Sequence, residues 1–166
     1  MLQPLRRRTW APRGKTPVQY AWDRHDRLSA ISAITVSPNR RKLGMYFRVQ
    51  QRNVCAEDLV DCVRQLRRQL GGPIILVWDR SGPHRKATRL LLQNNPVWLR
   101  VEWLPPYAPD LNPTEQCWNH SKHSDLANFV PDDTDELKQA VRNSFSEQRT
   151  NKKLLRSYFK TAKLRL

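Results

Sequence analysis

The chain has 166 residues, which is long enough for one domain with a sizeable hydrophobic core. Lysine and arginine number 30 against 15 acidic residues, and the formal net charge of +15 favours a polyanionic partner, nucleic acid ahead of a membrane surface. No apolar run approaches the roughly 20 residues of a membrane span, and the basic N-terminus does not match a secretory signal. The three cysteines lack Cys-x-x-Cys spacing. They are typical of reduced cytosolic thiols rather than of a disulfide framework or a zinc site.

Residues 1–27 predict an irregular, basic arm. Its cations surround Trp10 and are Arg6, Arg7, Arg8, Arg13 and Lys15. Cations interleaved with an aromatic ring suit a phosphate backbone with a base or sugar packed beside it. A solvated, partly extended arm accounts for the same residues equally well, so the sequence leaves both interpretations open.

Two runs of period-two alternation, residues 28–36 and 43–49, flank the turn Ser37-Pro38-Asn39 and predict an antiparallel hairpin. Residues 56–70 follow a helical period instead. Acids in the first turn, arginines near the end and Gly71-Gly72 beyond it agree with the dipole and C-cap rules. The arginines of this helix are interpreted as a solvated face, with DNA contact as the less favoured alternative.

A short apolar run, residues 73–78, ends at Asp79 and predicts a strand buried on both faces. A helix over about residues 84–94, with Leu90, Leu91 and Leu92 as its core face, and a strand over 97–104 follow it. Strand, helix and strand at this spacing form a crossover between parallel strands, so both strands end at the same edge of the sheet. Open α/β sheets bind their ligands at that edge. For a lone aspartate, however, a helix cap is the simpler interpretation.

The most informative stretch is LPPYAPDLNPTEQCW, residues 104–118. Its prolines stiffen the approach to a helix, for which Asn112 is the expected N-cap and Pro113 the expected first residue. Glu115 follows within the first turn, so its carboxylate is held on a rigid element. A capping box between Asn112 and Glu115 is a simpler interpretation, but it does not account for the rigid lead-in.

Taken together, these residues resemble the catalytic domain of DDE transposases, in the bacterial insertion-sequence branch of the mariner-like superfamily. The resemblance rests on Val77-Trp78-Asp79 with His84, on the proline motif through Glu115 and Trp118, on the Asp79–Glu115 spacing, and on residues 7–17. It implies an α/β fold of the RNase H-like (retroviral integrase-like) class, a mixed sheet with flanking helices, and the predicted order of elements agrees with that fold.

The same resemblance implies a first catalytic aspartate on a central strand of the sheet. In the family that strand lies just before a segment similar to residues 1–4 of this chain. We therefore expect the DNA upstream of Met1 to encode it, together with a helical DNA-binding region. We also expect the inner edge of the Asp79 strand to be unpaired or covered by the basic arm. Asp23 and Asp26 are predicted to be turn formers rather than a substitute for the first aspartate.

The resemblance further implies that Asp79 and Glu115 are catalytic and bind divalent metal ions, Mg²⁺ or Mn²⁺, for DNA cleavage and strand transfer. The candidate DNA-contacting residues are Arg7, Arg8, Arg13, Lys15 and His84, although a structural hydrogen bond explains His84 equally well. The implied partner is double-stranded DNA in a bacterial cytoplasm, at the nucleoid, with no membrane and with a homodimer as a compatible state. With one of three acids absent, we expect the chain alone to be inactive or nearly so.

The sequence thus predicts a basic arm over 1–27, an incomplete catalytic core over 28–148 and a basic C-terminal helix over 149–166. The core ends in a helix that begins at 132–134 and breaks at Thr150. The last helix is interpreted as amphipathic with a solvated basic side rather than as a DNA reader. A non-catalytic, nucleic-acid-binding remnant remains the alternative function. An unrelated α/β domain with fortuitous acids is disfavoured by the length of the proline motif.

Overall fold

The structure is a computed structural model that describes residues 8, 10–18, 28–94 and 96–166. Arg7, Asp23 and Asp26 lie outside the described residues, so the expectations about them stay predictions. In the described part of the basic arm Trp10 is fully exposed, and the amide of Lys15 donates to the carbonyl of Pro12 over 3.0 Å.

The hairpin forms as predicted. Strand β1 (Ser29–Val36) pairs antiparallel with β2 (Leu43–Gln50), with Ser29 opposite Gln50 and Val36 opposite Leu43. A Cβ at position 44 would lie 2.6 Å from the Thr35 hydroxyl oxygen, so any residue larger than glycine there would force the Thr35 side chain to move. One face of the hairpin, which includes the buried side chains of Leu43 and Met45, packs against helices that follow much later in the chain.

Helix α1 (Ala56–Leu70) has the bounds that the sequence predicts. Cys55 and Asp58 form a capping box at its N-terminus, and the N–H of Gly71, at φ 70°, donates to the carbonyl of Arg67 at its C-terminus. Arg52 donates to both carboxylate oxygens of Asp58, and Gln50 donates to one of them over 3.1 Å. These bonds fasten the end of the hairpin to the start of α1.

Strand β3 (Ile74–Trp78), helix α2 (Gly82–Leu92) and strand β4 (Leu99–Trp103) form the predicted crossover unit. The two strands are parallel, with Trp78 opposite Trp103. Helices α1 and α2 pack against one face of this pair. The buried side chains there are Ala56, Leu59, Val60, Val63, Trp78, Ala87, Leu91 and Leu99.

Two details of the predicted crossover are wrong. Leu90 is exposed, because Ala87 and Leu91, one turn apart, are the residues of α2 that face the core. Val97 is also fully exposed and precedes β4, since the amide of Leu99 donates to the carbonyl of Pro96 and turns the chain there. The strand therefore begins two residues later than its apolar pattern indicates.

The second face of β3 is open, so the expectation of a strand buried on both faces is wrong. Ile75 and Val77 are 67% and 56% exposed. Successive side chains of a strand point to opposite faces, and the described helices cover only the face of Trp78. Among the described residues β3 pairs with β4 alone and β1 with β2 alone, in two separate sheets. One edge of β3 and one edge of β1 thus lack a strand partner in this part of the chain, in agreement with the expected unpaired inner edge.

Three further helices complete the fold: α3 (Pro113–His120), α4 (Thr134–Thr150) and α5 (Lys152–Thr161). They pack on the hairpin around a core of Leu43, Met45, Cys117, Phe145, Leu155 and Tyr158. The ring of Phe145 meets those of Phe47 and Trp118 edge to face, at centroid distances of 5.3 and 5.2 Å. None of the helices described in the structure is long and apolar enough to cross a membrane.

Candidate active site

Asp79 follows the last residue of β3 and lies in the short loop before α2. Its Oδ1 accepts a hydrogen bond from the amide of Ser81 at 2.7 Å and another from Nδ1 of His84 at 2.6 Å. The His84 ring also stacks on Trp78, with a centroid distance of 4.6 Å. His84 therefore makes the structural hydrogen bond that its position near the start of α2 suggested, and it orients the Asp79 carboxylate.

These contacts decide the charge of Asp79. Partial burial acts to raise the pKa of its carboxyl, but the hydrogen bonds from Ser81 and His84 together outweigh burial and leave the pKa below its ordinary value. Asp79 is therefore ionised at neutral pH. Because an ionised carboxylate only accepts hydrogen bonds, Nδ1 of His84 carries the proton, and Nε2 is the ring nitrogen available to other groups.

Glu115 reaches the same edge of the sheet through the proline motif. The amide of Leu104 donates to the carbonyl of Trp78 over 2.9 Å, which holds the end of β4 beside the residue that precedes Asp79. The chain then makes a short 3₁₀ turn, Pro109–Leu111, and enters α3 with Pro113 as its first residue. The Asn112 side chain accepts from the amide of Thr114 at 3.1 Å, so the predicted N-cap forms.

The Glu115 carboxylate does not complete a capping box. Among the described hydrogen bonds, none joins its side chain to Asn112. Instead, Asp79 and Glu115 line one pocket of about 360 Å³. Arg80, Asn112 and residues 104–109 form the rest of its lining. Two acids that lie 36 positions apart in sequence, 79 and 115, thus face a shared cavity at the carboxyl end of β3.

Tyr107 lines this pocket with an unusual backbone conformation and an exposed side chain. Its side chain is fully exposed, although it lines the cavity, and its φ of 57° is in the left-handed region that bulky residues rarely adopt. The flanking prolines fix their own φ angles and hold the segment in this shape. No local sequence pattern predicts a positive φ at a tyrosine, so this conformation could not be read from the sequence.

The sequence of the chain matches a known family over most of its length. Residues 1–138 match the family of the DDE superfamily endonucleases. This chain belongs to that family. Among solved structures it is similar to a chain in the crystal structure of the Mos1 strand transfer complex, with a TM-score of 0.56 and 18% sequence identity over 96% of this chain and 50% of that chain. The chain therefore spans about half the length of the solved chain that it matches.

The structural likeness confirms the predicted RNase H-like fold of this DDE endonuclease domain. Among the described residues the strands of this domain form two separate two-stranded sheets, β1–β2 and β3–β4. Among curated proteins, none matches the chain.

The helix that carries Glu115 in this DDE domain is anchored by a buried polar network that the sequence analysis missed. Gln148 of α4 is 1% exposed and donates to the Ser121 hydroxyl at 2.8 Å and to the Cys117 carbonyl at 3.4 Å. The Tyr158 hydroxyl donates to Oε1 of Gln148 at 2.9 Å, and Ser144 shares the cluster. Ser144 and Gln148 stand one turn apart beside apolar Phe145, and that polar pair on a core face was the available signal.

The Cys117 thiol, two residues beyond Glu115, confirms how tightly α3 is packed. Its side chain is 0% exposed, and burial raises the pKa of the thiol to about 12. A five-residue π-helical turn, Ser121–Asp125, directly follows the last residue of α3. Such turns are frequent near functional sites.

The predicted DNA-contacting residues are only partly brought to the pocket. Arg8, Arg13 and Lys15 are exposed, but they do not line the cavity, and Arg7 is outside the described residues. Arg80, which the sequence analysis did not single out, is the one cation in the described lining. The described lining of the pocket therefore contributes one cation rather than a series of them.

The donor set fits a hard divalent cation in type but not in number. Carboxylate oxygens are the ligands that Mg²⁺ and Mn²⁺ prefer, and Asp79 and Glu115 supply them from two separate, rigid elements. Within the described residues, however, no group of three or more His, Cys, Asp or Glu side chains is placed to hold a metal ion. The pocket lining described in the structure thus offers two carboxylates to a cation.

Proposed function

We propose that the pocket between Asp79 and Glu115 is the active site of a DDE transposase domain, which cleaves and joins DNA in transposition with divalent metal ions, Mg²⁺ or Mn²⁺. One observation carries this proposal: two carboxylates from different elements line the same cavity at the carboxyl end of β3. Family membership supports the reaction class. When bound, the ions stabilise negative charge on the attacking and leaving oxygens of the phosphodiester.

Asp79 is suited to a cation because it is already ionised and oriented. Its Oδ1 is held by Ser81 and His84, so we expect Oδ2 to be the oxygen that contacts a metal ion. Glu115 is exposed at the start of α3 and carries the second carboxylate. We expect the two carboxylates to approach to about 4–8 Å, as a site for hydrated metal ions requires. We also propose that Nε2 of His84 and Arg80 contact a phosphate of the DNA.

We expect two cations to need a third acid as a ligand, and the unpaired strand edges suggest where it would lie. One edge of β1 and one edge of β3 lack strand partners in the described residues. We propose that a strand ending in an aspartate pairs between them in the active protein. Residues that act as a unit lose nearly all activity when one is absent. We therefore expect the 166-residue chain alone to nick DNA very slowly or not at all.

The proposed substrate is double-stranded DNA, read without strong sequence preference. The family profile and the net charge of +15 support a polyanionic partner. Arg8, Arg13 and Lys15 would contact its backbone, because they are exposed and unpaired with any acid in the described part of the chain. The bacterial, nucleoid-associated setting and a homodimer are part of the same proposal.

Metal binding by the chain as it exists tests the site without requiring catalysis. Titration with Mn²⁺ should broaden the amide resonances around Asp79 and Glu115 through paramagnetic relaxation. Asp79→Asn and Glu115→Gln should each abolish the effect. Asp110→Asn is the matched control, because Asp110 is an exposed acid of the neighbouring 3₁₀ turn that does not line the pocket. Broadening that survives both site variants would reject the assignment.

Plasmid nicking separates the enzyme from the alternative. A chain extended by a strand that ends in aspartate should nick supercoiled DNA only with Mg²⁺ or Mn²⁺ present, and Asp79→Asn should abolish that activity. Salt-dependent DNA binding with no metal-dependent nicking in the extended chain would favour the non-catalytic remnant instead.

A further inference from the structure

Two distant parts of the chain bring exposed cations together on one surface. The turn between β1 and β2 supplies Arg40, Arg41 and Lys42, and α5 lies against it. A guanidinium nitrogen of Arg156 donates to the carbonyl of Arg41 over 3.4 Å, across 115 positions of sequence. We define the α5–turn surface as these residues and their exposed basic neighbours on α5 and just after it. Its members are Arg40, Arg41, Lys42, Lys152, Lys153, Arg156, Lys160 and Lys163.

The cations of α5 form a stripe rather than a diffuse basic side. At about 100° per residue, Lys152, Lys153, Arg156 and Lys160 fall within an arc of about 100° around the helix axis. The buried residues Leu155 and Tyr158 occupy a different arc. The helix therefore points its apolar side at the core and concentrates its charge along one exposed line.

The acids described in the structure do not pair with these cations. The sequence has no aspartate or glutamate between residues 28 and 56, or between residues 148 and 166. Within the described residues none of the eight cations takes part in an ion pair, whereas Lys86 pairs with Glu57 at 2.8 Å and Lys138 with Asp135 at 3.7 Å. The surface thus differs from the ordinary mixed charge elsewhere on the molecule.

Local physics disfavours cations at several of these positions. Lys152 and Lys153 begin α5, where the helix dipole favours acids, and the first turn of this helix has none. Lys152, Arg156 and Lys160 repel one another at i,i+4 spacing. Arg40 at φ 58° and Lys163 at φ 57° occupy left-handed positions that favour glycine or asparagine. Lys152 and Arg156 gain hydrogen bonds to the carbonyls of Arg149 and Arg41, at 2.9 and 3.4 Å. Among the described hydrogen bonds none offsets Lys153 or Lys160, and sites where a chain breaks local rules without structural gain tend to be functional.

We infer that the α5–turn surface binds the phosphate backbone of double-stranded DNA, as a second contact area beside the carboxylate pocket. None of its residues lines that pocket. The inference rests on the proposed function only for the choice of DNA as the polyanion. A helix of ten residues is about 15 Å long, and duplex DNA carries one phosphate charge per about 1.7 Å of axis, so the stripe matches several phosphates.

The chemistry favours a duplex over a single strand. Proteins that bind single strands combine cations with exposed aromatic rings on which bases stack. On α5, Tyr158 is 5% exposed and Phe159 is packed against the core, so the helix offers no exposed stacking platform. Phosphate contacts without base contacts give binding that is strong at low salt and indifferent to sequence.

The test compares two variants of equal net charge. Lys152→Gln/Arg156→Gln/Lys160→Gln removes three cations of the stripe, and Arg64→Gln/Arg68→Gln/Arg89→Gln removes three exposed cations of α1 and α2. Each lowers the formal net charge from +15 to +12. The readout is the slope of log Kd for a short duplex against log salt concentration. The stripe variant should flatten the slope by about 2–3, whereas the control should change it by less than about 1. Equal effects of both variants, or none from the first, would overturn the inference.

A single substitution in the turn between β1 and β2 distinguishes a DNA contact by Arg40 from a purely structural role. Asn tolerates the left-handed region, so Arg40→Asn should keep or raise the thermal midpoint while it flattens the salt slope by about 0.9. An unchanged slope would remove the turn from the surface. Stronger binding of single-stranded DNA or of phosphatidylserine vesicles, lost equally in the stripe variant, would reassign the partner and reject duplex DNA.

The same titration distinguishes this inference from the proposed active site. In metal-free buffer, the stripe substitutions should flatten the slope by the same amount in an Asp79→Asn or a Glu115→Gln chain as in the wild-type chain. A chain that binds Mn²⁺ in the pocket but shows no stripe effect keeps the proposed function and loses this inference. The opposite result keeps the surface and rejects the pocket.

Discussion

The crossover half and the hairpin half of this DDE domain carry one proposed catalytic acid each, but they are built differently. The crossover half, α1 with β3, α2 and β4, packs its core on a single face of its parallel strands and delivers Asp79. The hairpin half covers β1 and β2 with three helices and delivers Glu115. The first half leaves Ile75 and Val77 exposed, whereas the second encloses Phe145 and Gln148 completely.

This difference shows that the two acids of one site depend on different kinds of structure. Asp79 is fixed by neighbours close in sequence, Ser81 and His84. Glu115 is fixed through α3, whose partners in the polar network come from α4 and α5. Substitutions in the hairpin half should therefore change stability far more than comparable substitutions on the open face of the crossover half.

The largest expected effect is in the hairpin core. Phe145→Ala should lower the free energy of unfolding by about 3–5 kcal/mol, because it removes a fully buried ring and its two edge-to-face contacts. Urea unfolding followed by tryptophan fluorescence measures the change. A loss below about 1 kcal/mol would mean that this core collapses around the cavity and that the two halves are packed alike.

The buried polar network around Gln148 provides the second test of the difference in stability between the two halves. Gln148→Leu should cost about 1–3 kcal/mol, because the Tyr158 hydroxyl and the Ser121 and Ser144 hydroxyls lose a shared partner in the core. Gln139→Leu, on the exposed side of the same helix, is the control and should stay within about 0.5 kcal/mol. Equal losses in the two variants would show that the network adds nothing to the anchoring of α3.

Asp58 joins the two halves, and its effect depends on pH. Hydrogen bonds from Arg52 lower the pKa of the Asp58 carboxyl, with a further contribution from the amide of Cys55. The stability that this group contributes is therefore present above its unfolded pKa of about 4 and is lost as pH falls below it.

Asp58→Asn should cost about 1 kcal/mol at neutral pH through the weakened capping box, and it should flatten the fall in stability on acidification. Chemical unfolding at a series of pH values below neutral measures both effects. Asp61→Asn, an exposed acid of the same helix, should retain the wild-type pH profile. Coincident profiles for the wild-type and Asp58→Asn chains would contradict the junction described above.

The smallest effect is expected on the open face. Ile75→Thr should change stability by no more than about 0.5 kcal/mol, whereas Ile74→Thr, its neighbour on the core face, should cost about 1–2 kcal/mol. Thermal unfolding of the pair provides the comparison with identical chemistry. A cost at Ile75 equal to that at Ile74 would mean that another segment covers this face in solution.

Local signals predicted the parts of the fold that local forces determine. The bounds of α1 followed from its charges and from Gly71, and the start of α3 followed from Asn112 and Pro113. Asp79 and Glu115 were placed at one edge because parallel strands end together. The open face of β3 was missed, because an apolar run predicts burial but not which neighbours supply it.

The remaining misses have the same physical origin, since they depend on contacts between residues far apart in sequence. Gln148 is polar yet fully enclosed, and only its distant partners Ser121 and Tyr158 make that arrangement stable. The Arg156 guanidinium donates to the backbone carbonyl of Arg41 across 115 positions of sequence, and no local pattern in either segment predicts that contact. Tyr107 adopts a backbone conformation that its residue type disfavours.

The burial of Cys117 gives this domain a chemical reporter of its own. A thiol with a raised pKa and no solvent exposure reacts with an alkylating reagent only when the surrounding helices separate. Cys55 is exposed and serves as the reference thiol within the same molecule. The ratio of the two labelling rates therefore reports how often the helix of Glu115 detaches from the hairpin, without any substitution.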